Sequence, residues 1–504
     1  MSTAARDWSG RRLHFVGIGG AGMSGLALIA DALGAAVTGS DRASSPYLER
    51  VLAAGIPAVV GHAAANVPAG EDVELVVSTA IDGVNPERAA ARERGLREIH
   101  RGALLGELSR LRRTIAIAGT HGKTTTSSMA AHALIALGWD PSYVIGGELR
   151  RPGPTACGTN AAFGSGEWLV VEADESDRSF LELAPEIAVV TNIELDHHTT
   201  YASHADLELA FAQFLRNGLR SVVADTVEAE AFLDRVGIDE SAFFGASEVE
   251  LTAEGSRFVW AGRRVSLSVP GLHNVANAAA ALTACVIAGA RPREVAGTLA
   301  GFAGAGRRFE RLGPARGSGA LVVDDYAHHP TELLATIAAA RTLAPGRVVA
   351  VFQPHLFSRT QLLAREFGAA LAQADAAVVL DVYPSRERAE DFPGVSGMLI
   401  AEAAADAGGG RPVAWARGFD AAQRVLGRWL TPTDVCLVMG AGDVDELGRR
   451  LVAGTGGDLS AHRTIAAVGL DGLRGSMTLW FTPSHVDADA ELASRGNPRG
   501  GSDG

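Results

Sequence analysis

The sequence predicts an α/β protein of three domains, each built on a doubly wound sheet. Three observations lead there. Short apolar strands alternate with helical patterns along most of the chain, which implies parallel sheets. Glycine-rich turns at residues 17–22 and 119–122 each follow such a strand and precede a helix, where phosphate-binding loops lie. A chain of 504 residues also exceeds what one hydrophobic core can organise.

The elements follow in order. In a Rossmann-like first domain, residues 1–110, strands are expected at 13–16, 36–39 and 75–78, with helices at 23–33 and 87–94. A central P-loop ATPase-type domain, residues 111–306, opens with a strand at 114–118 and a helix beginning near Thr125. Further strands are expected at 168–171, 188–191 and 222–225, and more strands with turns across 258–269. The run 269–290 lacks charge but contains His273, Asn274 and Asn277, so a buried helix fits it better than a membrane span. Glycine and arginine between 301 and 308 mark a hinge. The third domain, residues 307–453, has a dinucleotide fold with strands at 320–323, 347–352, 376–380 and 435–439. Beyond 454 the pattern dissolves into a tail expected to be largely disordered, although 477–481 is apolar enough to dock.

Composition narrows the function. A net charge of −13 argues against general affinity for nucleic-acid backbones, so phosphates need local basic sites. Cys157, Cys285 and Cys436 form no CxxC pair, which fits a reducing cytoplasm. Arg11-Arg12 precedes a glycine-broken apolar stretch that reads as a buried strand and turn, not a signal peptide. No membrane partner is expected, and the protein is expected in the cytoplasm as a monomer or homodimer.

The chain has a single lysine, Lys123, within Gly119-Thr120-His121-Gly122-Lys123-Thr124-Thr125. An ammonium is a compact point charge with three donors, whereas guanidinium is a wide planar fork. That preference suits a crowded triphosphate cradle, with Lys123 on the β/γ-phosphates and Thr124 toward Mg²⁺. Two residues separate Gly119 from Gly122 where the ordinary P-loop has four, which weakens a generic kinase or GTPase reading.

The first turn, Gly17-Ile18-Gly19-Gly20-Ala21-Gly22, fits GxGxxG, and Asp41 follows Gly22 by 19 residues. A diphosphate and a sugar fit there; a nicotinamide is not specified. Charged clusters are usually solvated loops, but Glu172-Ala173-Asp174-Glu175-Ser176-Asp177 sits at the carboxyl end of a buried strand, where α/β sheets place ligands. Its hard oxygens suit Mg²⁺. Thr191-Asn192-Ile193-Glu194-Leu195-Asp196-His197-His198 repeats the logic after the next strand, with His197 either a metal ligand or structural. Asp325-Tyr326-Ala327-His328-His329-Pro330 and Gln353-Pro354-His355-Leu356-Phe357-Ser358-Arg359 close two strands of the third domain and suit an anionic substrate.

Together with His14-Phe15-Val16 before the first turn and Met23 after it, these motifs occur in the order found in the Mur ligase family, which the chain resembles over residues 11–452. The resemblance implies a sugar-nucleotide domain, an ATP-binding domain and a domain that closes over the site. It implies ATP and Mg²⁺ as cofactors, UDP-N-acetylmuramate and L-alanine as substrates, and an acyl-phosphate intermediate. Gly17, Gly19, Gly20, Gly22, Met23 and Asp41 would bind the UDP-sugar. Gly119, Thr120, His121, Gly122, Lys123, Thr124, Thr125, Asn274, Arg308 and Asp325 would bind ATP. Thr124, Glu172 and His197 would hold metal. Tyr326, His328, His355 and Arg359 would surround the carboxylate and the incoming amino acid, and Lys123, His197, His328 and Arg359 would carry catalysis. The plainer alternative for 273–277 is a helix start. A family member that adds a stem tripeptide shares most of these motifs. A dehydrogenase would leave the lysine loop idle, and a sugar-nucleotide sensor would not need Lys123, Glu172 and His197 together. Several relatives use a carbamylated lysine for a second Mg²⁺, a device unavailable when the one lysine serves phosphate. Leu356 stands where some members carry arginine, leaving Arg359 as the anion contact.

Overall fold

A computed structural model describes residues 8–150, 158–196, 200–343, 346–454 and 478–481. It divides into two compact units: Met1–Glu310 with Ala338–Leu343, and Arg311–Ile337 with Ala344–Gly504.

The first unit holds two α/β layers. Strands β1 (Arg12–Val16), β2 (Ala36–Asp41), β3 (Ala58–Val60), β4 (Val73–Val77) and β5 (Arg97–His100) form a parallel sheet in the order β3-β2-β1-β4-β5. The order reverses beside β1, so its carboxyl end opens a crevice at the glycine turn. The second layer comprises β6 (Arg113–Ala118), β7 (Ser142–Leu149), β8 (Thr159–Ala162), β9 (Trp168–Glu172), β10 (Ile187–Val190), β11 (Arg220–Ala224) and β12 (Ala242–Phe244). Their order is β12-β11-β10-β6-β9-β7-β8, with only the edge strand β8 antiparallel to its neighbour. Central β6, β9 and β10 thus deliver their carboxyl ends side by side. An antiparallel meander, β13 (Ser247–Thr252), β14 (Gly255–Trp260) and β15 (Arg263–Leu267), follows.

The helix Leu272–Ile287 packs on the helix Lys123–Ala136. Ala278, Ala279, Ala280 and Ala281 are fully buried against a core that includes Ala130, Ala131 and Ala133. Small side chains let the two axes approach closely, and the uncharged run is a core helix as expected. No helix among the described residues is long and apolar enough to cross a membrane.

The second unit is a third α/β layer. It contains β16 (Glu310–Pro314), β17 (Leu321–Asp325), β18 (Val348–Phe352), β19 (Ala376–Leu380), β20 (Val413–Ala416), β21 (Val435–Met439) and β22 (Thr478–Phe481), ordered β16-β17-β21-β18-β19-β20-β22. Strands β17 to β21 pair in parallel, whereas β22 adds antiparallel to β20. Of the tail, only that strand lies among the described residues. Backbone strain falls in the expected hinge and just after it: Arg307 and Phe309 have φ of +55° and +52°, a region that L side chains rarely occupy.

Candidate active site

The lysine turn leaves β6 and enters the helix Lys123–Ala136 through Gly122. Gly122 has φ +84°, and a Cβ there would lie 2.3 Å from Asn277 Oδ1. Gly119 has φ +135°, and its Cβ would lie 2.0 Å from Thr191 Oγ1. Both positions therefore require glycine. The irregular segment after β10 supports the turn: His121 N donates to Asn192 Oδ1 at 2.9 Å, and Thr120 N to Asn192 O at 3.1 Å. Thr120 Oγ1 donates to Glu194 O, and His121 Nε2 lies 2.8 Å from Glu194 Oε2. Thr125 is buried in the first helical turn. No side chain caps that helix, so its first N–H groups fit a phosphate group.

Lys123 Nζ donates to Gly119 O at 2.6 Å, Thr120 O at 3.0 Å and Glu175 Oε1 at 2.9 Å. Burial alone would lower its pKa; the facing Glu175, Asp174 and Glu172 carboxylates more than reverse this, so the ammonium keeps its proton. Thr124 Oγ1 donates to Glu172 Oε1 at 3.1 Å, and Glu172 Oε2 accepts from Gly146 N at 2.7 Å. This hydroxyl–carboxylate pair is a donor set that fits a hard divalent cation. Arg308 Nη2 donates to the same Thr124 Oγ1 at 3.2 Å. His197, the third expected metal ligand, lies outside the described residues. Asn274 and Asn277 begin the helix Leu272–Ile287: Asn274 Nδ2 donates to Pro270 O at 2.7 Å, and Asn277 Oδ1 accepts from Thr126 Oγ1 at 3.2 Å.

At the first glycine turn, Gly17 has φ +82°, and the N–H groups of Gly17 and Ile18 both donate to Ser40 O at 2.8 and 2.9 Å. Gly20 N donates back to Gly17 O. Asp41 Oδ2 accepts from Gly19 N at 2.8 Å, so the carboxylate expected to bind the UDP-sugar also fastens the turn itself. Gly22 stands at the start of the helix Ala21–Ala32, while Met23 is buried in the core beneath it.

In the second unit, Asp325 ends β17 and accepts from Ala327 N at 2.8 Å. Tyr326 and His328 meet edge to face at 5.5 Å, and His328 and His355 at 6.3 Å. Arg359 Nη1 lies 3.4 Å from His355 Nδ1. The four residues expected around the amino acid are therefore one cluster. A fifth member, Tyr383, stacks on His355 at 5.9 Å. It follows β19, and the same strand-end rule that selected His328 and His355 would have found it. Asn277 and Gly146 were given no role from sequence, and Glu175, expected among oxygens for Mg²⁺, instead accepts from Lys123; each acts through a partner distant in the chain.

Three α/β sheets, the last a dinucleotide-type layer, and a lysine turn facing strand-end carboxylates define a class. The chain belongs to the Mur ligase family. Residues 12–113 match the Mur ligase family catalytic domain, 117–285 the Mur ligase middle domain, and 307–442 the Mur ligase glutamate ligase domain. It is 44% identical over 463 residues to the UDP-N-acetylmuramate–L-alanine ligase of Streptomyces avermitilis, covering 88% of this chain and 97% of that one. The crystal structure of the UDP-N-acetylmuramate–alanine ligase of Thermotoga maritima superposes with a TM-score of 0.73 at 28% identity, covering 88% of this chain and 98% of that one. A murein peptide ligase from Psychrobacter arcticus shares the fold, with a TM-score of 0.66 at 24% identity over 90% of this chain and 100% of that one.

Proposed function

We infer that this chain joins L-alanine to the lactyl carboxylate of UDP-N-acetylmuramate at the expense of ATP, in peptidoglycan precursor synthesis. The observation that carries this reading is 44% identity, over nearly its full length, to a ligase of that name. The tripeptide-adding alternative shares most of the motifs, but the murein peptide ligase from Psychrobacter arcticus matches at only 24% identity.

In this reading residues 1–110 take the sugar nucleotide, 111–306 ATP, and 307–453 the amino acid. Lys123 binds the triphosphate through its fixed positive charge, and the uncapped helix start donates N–H groups to it. Thr124 and Glu172, with His197, hold Mg²⁺. A bound Mg²⁺ supplies neutralisation of charge on the transferring phosphoryl group. Asn274, Arg308 and Asp325 contact the nucleotide. The lactyl carboxylate takes the γ-phosphoryl group; the alanine amine then attacks the acyl carbon and phosphate leaves. Arg359, with Tyr326 and His355, orients the carboxylate groups, and His328 or His197 takes the ammonium proton. No side-chain nucleophile is required. The enzyme works in the cytoplasm as a monomer or homodimer.

Phosphate release from ATP and Mg²⁺ with UDP-N-acetylmuramate tests this, with L-alanine, stem tripeptide or no amine as third component. Release requiring both the sugar nucleotide and L-alanine, with the matching mass gain, is expected. Release with tripeptide alone would transfer the assignment to the recycling reaction.

A further inference from the structure

A cavity of about 110 Å³ in the first unit is lined by Gly22, Arg101, Gly102, Gly146, Glu172 and Ser179, among others. It lies between the start of the helix Ala21–Ala32 and the carboxyl end of β9. The helix Arg101–Leu111 also begins there. We propose that Arg101 binds the diphosphate of the sugar nucleotide, with Asp174 and Asp177 as positioning residues that aim its guanidinium. The proposal rests on the functional reading above and deepens it.

Arg101 is divided between two tasks. Its Nη2 donates to Asp174 Oδ2 at 2.6 Å and to Asp177 Oδ2 at 3.3 Å. Nε and Nη1 donate to no described residue, and Nη1 lies 3.2 Å from where a Cβ on Gly22 would be. Nη2 is thus anchored while Nη1 borders the cavity beside the glycine turn. A guanidinium presents five donors in a fixed plane, so anchoring one nitrogen orients the rest. The nearby helix start has Gly20 at its N-cap and no side-chain cap, so its N–H groups are open to the same anion. Gly102 N is already satisfied by His100 Nδ1 at 3.2 Å, which leaves the Ala21–Ala32 end as the donor. Of the two carboxylates lining the cavity, Asp174 is the partner of Arg101, whereas Glu172 is held by Thr124 and Gly146 N.

A simple structural tie would be satisfied by Arg101 and Asp174 alone. With Nη2 committed to two carboxylates, Nη1 is the nitrogen left to donate to a phosphate oxygen, a charge-assisted contact made through one nitrogen.

Calorimetric titration of the full chain with UDP and with UDP-N-acetylmuramate tests this, together with steady-state kinetics. For Arg101→Ala, both nucleotides should bind about tenfold to a hundredfold more weakly, while KM for ATP and L-alanine stays within about twofold. Arg101→Lys keeps the charge facing Asp174 but loses the fork and should fall between; it decides the matter if the alanine variant does not fold. Asp174→Asn should raise KM for the sugar nucleotide more than it lowers kcat. Unchanged UDP binding in a folded Arg101 variant overturns the proposal. So does loss confined to UDP-N-acetylmuramate, which would put the guanidinium on the lactyl carboxylate. A wild-type chain that binds neither nucleotide sinks the functional reading itself.

Discussion

Lys123 spends its three N–H donors inside the protein, on two turn carbonyls and Glu175. A triphosphate must compete for at least one of them, and only a small rotatable ammonium can change partners in so confined a turn. Lys123→Arg is accordingly expected to lower turnover by about a hundredfold or more, the scale seen when one electrostatic stabiliser is lost, with the unfolding temperature little changed. Near-normal activity in that variant would refute the point-charge argument. A second residue-scale expectation concerns Glu87, fully buried among His14, Ser40, His62 and Asn66. Burial would raise its pKa, but the His14, Ser40 and Asn66 hydrogen bonds and the His14 charge outweigh it and hold the carboxyl at about 2. A depressed folded pKa stabilises above the unfolded value, near 4.5, and that contribution, roughly 3 kcal/mol, is lost as pH falls toward 2. Glu87→Gln should flatten the acid limb of stability in denaturant titrations; an unaltered limb would show that other carboxylates set it. Lys123 was legible from sequence because it is alone. Glu87 was not, since its partner His14 lies 73 residues away in the chain and only the fold assembles the cluster.

At the scale of elements, the lysine turn is a backbone shape fixed by two glycines and the residues that crowd them. Gly122→Ala would place a methyl 2.3 Å from Asn277 Oδ1 at a φ of +84°. Loss of ATP binding is expected, together with a stability cost of about 1–3 kcal/mol from the strained backbone. ATP titration and thermal unfolding of that variant check both halves; unimpaired binding would show that the turn tolerates reshaping. The strands that carry these turns were readable because buried parallel strands form short apolar runs. What could not be read was the support beneath them. Asn192 and Asn277 reach the turn from beyond β10 and from the helix Leu272–Ile287, and neither carries a local signal of that task. Leu356 is similar: its φ of +71° before the helix Phe357–Leu371 is held by a hydrogen bond from its N–H to Tyr383 O. A leucine in that conformation is visible only in three dimensions.

Across the whole molecule, each unit encloses one described cysteine: Cys285 lies in the core of the first and Cys436 in the core of the second. Burial pushes both thiols up to about 12, so neither offers a thiolate at neutral pH. Native protein treated with iodoacetamide at pH 8 should leave both unmodified, and in rising denaturant each should become reactive as its own unit opens. Peptide mass spectrometry separates the two; rapid native labelling of either would contradict its burial. The sequence had indicated reduced, unpaired cysteines from their spacing, but not their seclusion, because spacing says nothing of depth.

The solitary lysine has one last consequence. An endoprotease that cleaves only after lysine has a single target bond in this chain, between Lys123 and Thr124, and would yield just Met1–Lys123 and Thr124–Gly504. That bond lies at the start of a helix whose next residue is almost fully buried, so the rate of this one cut is a clock for the opening of the nucleotide loop.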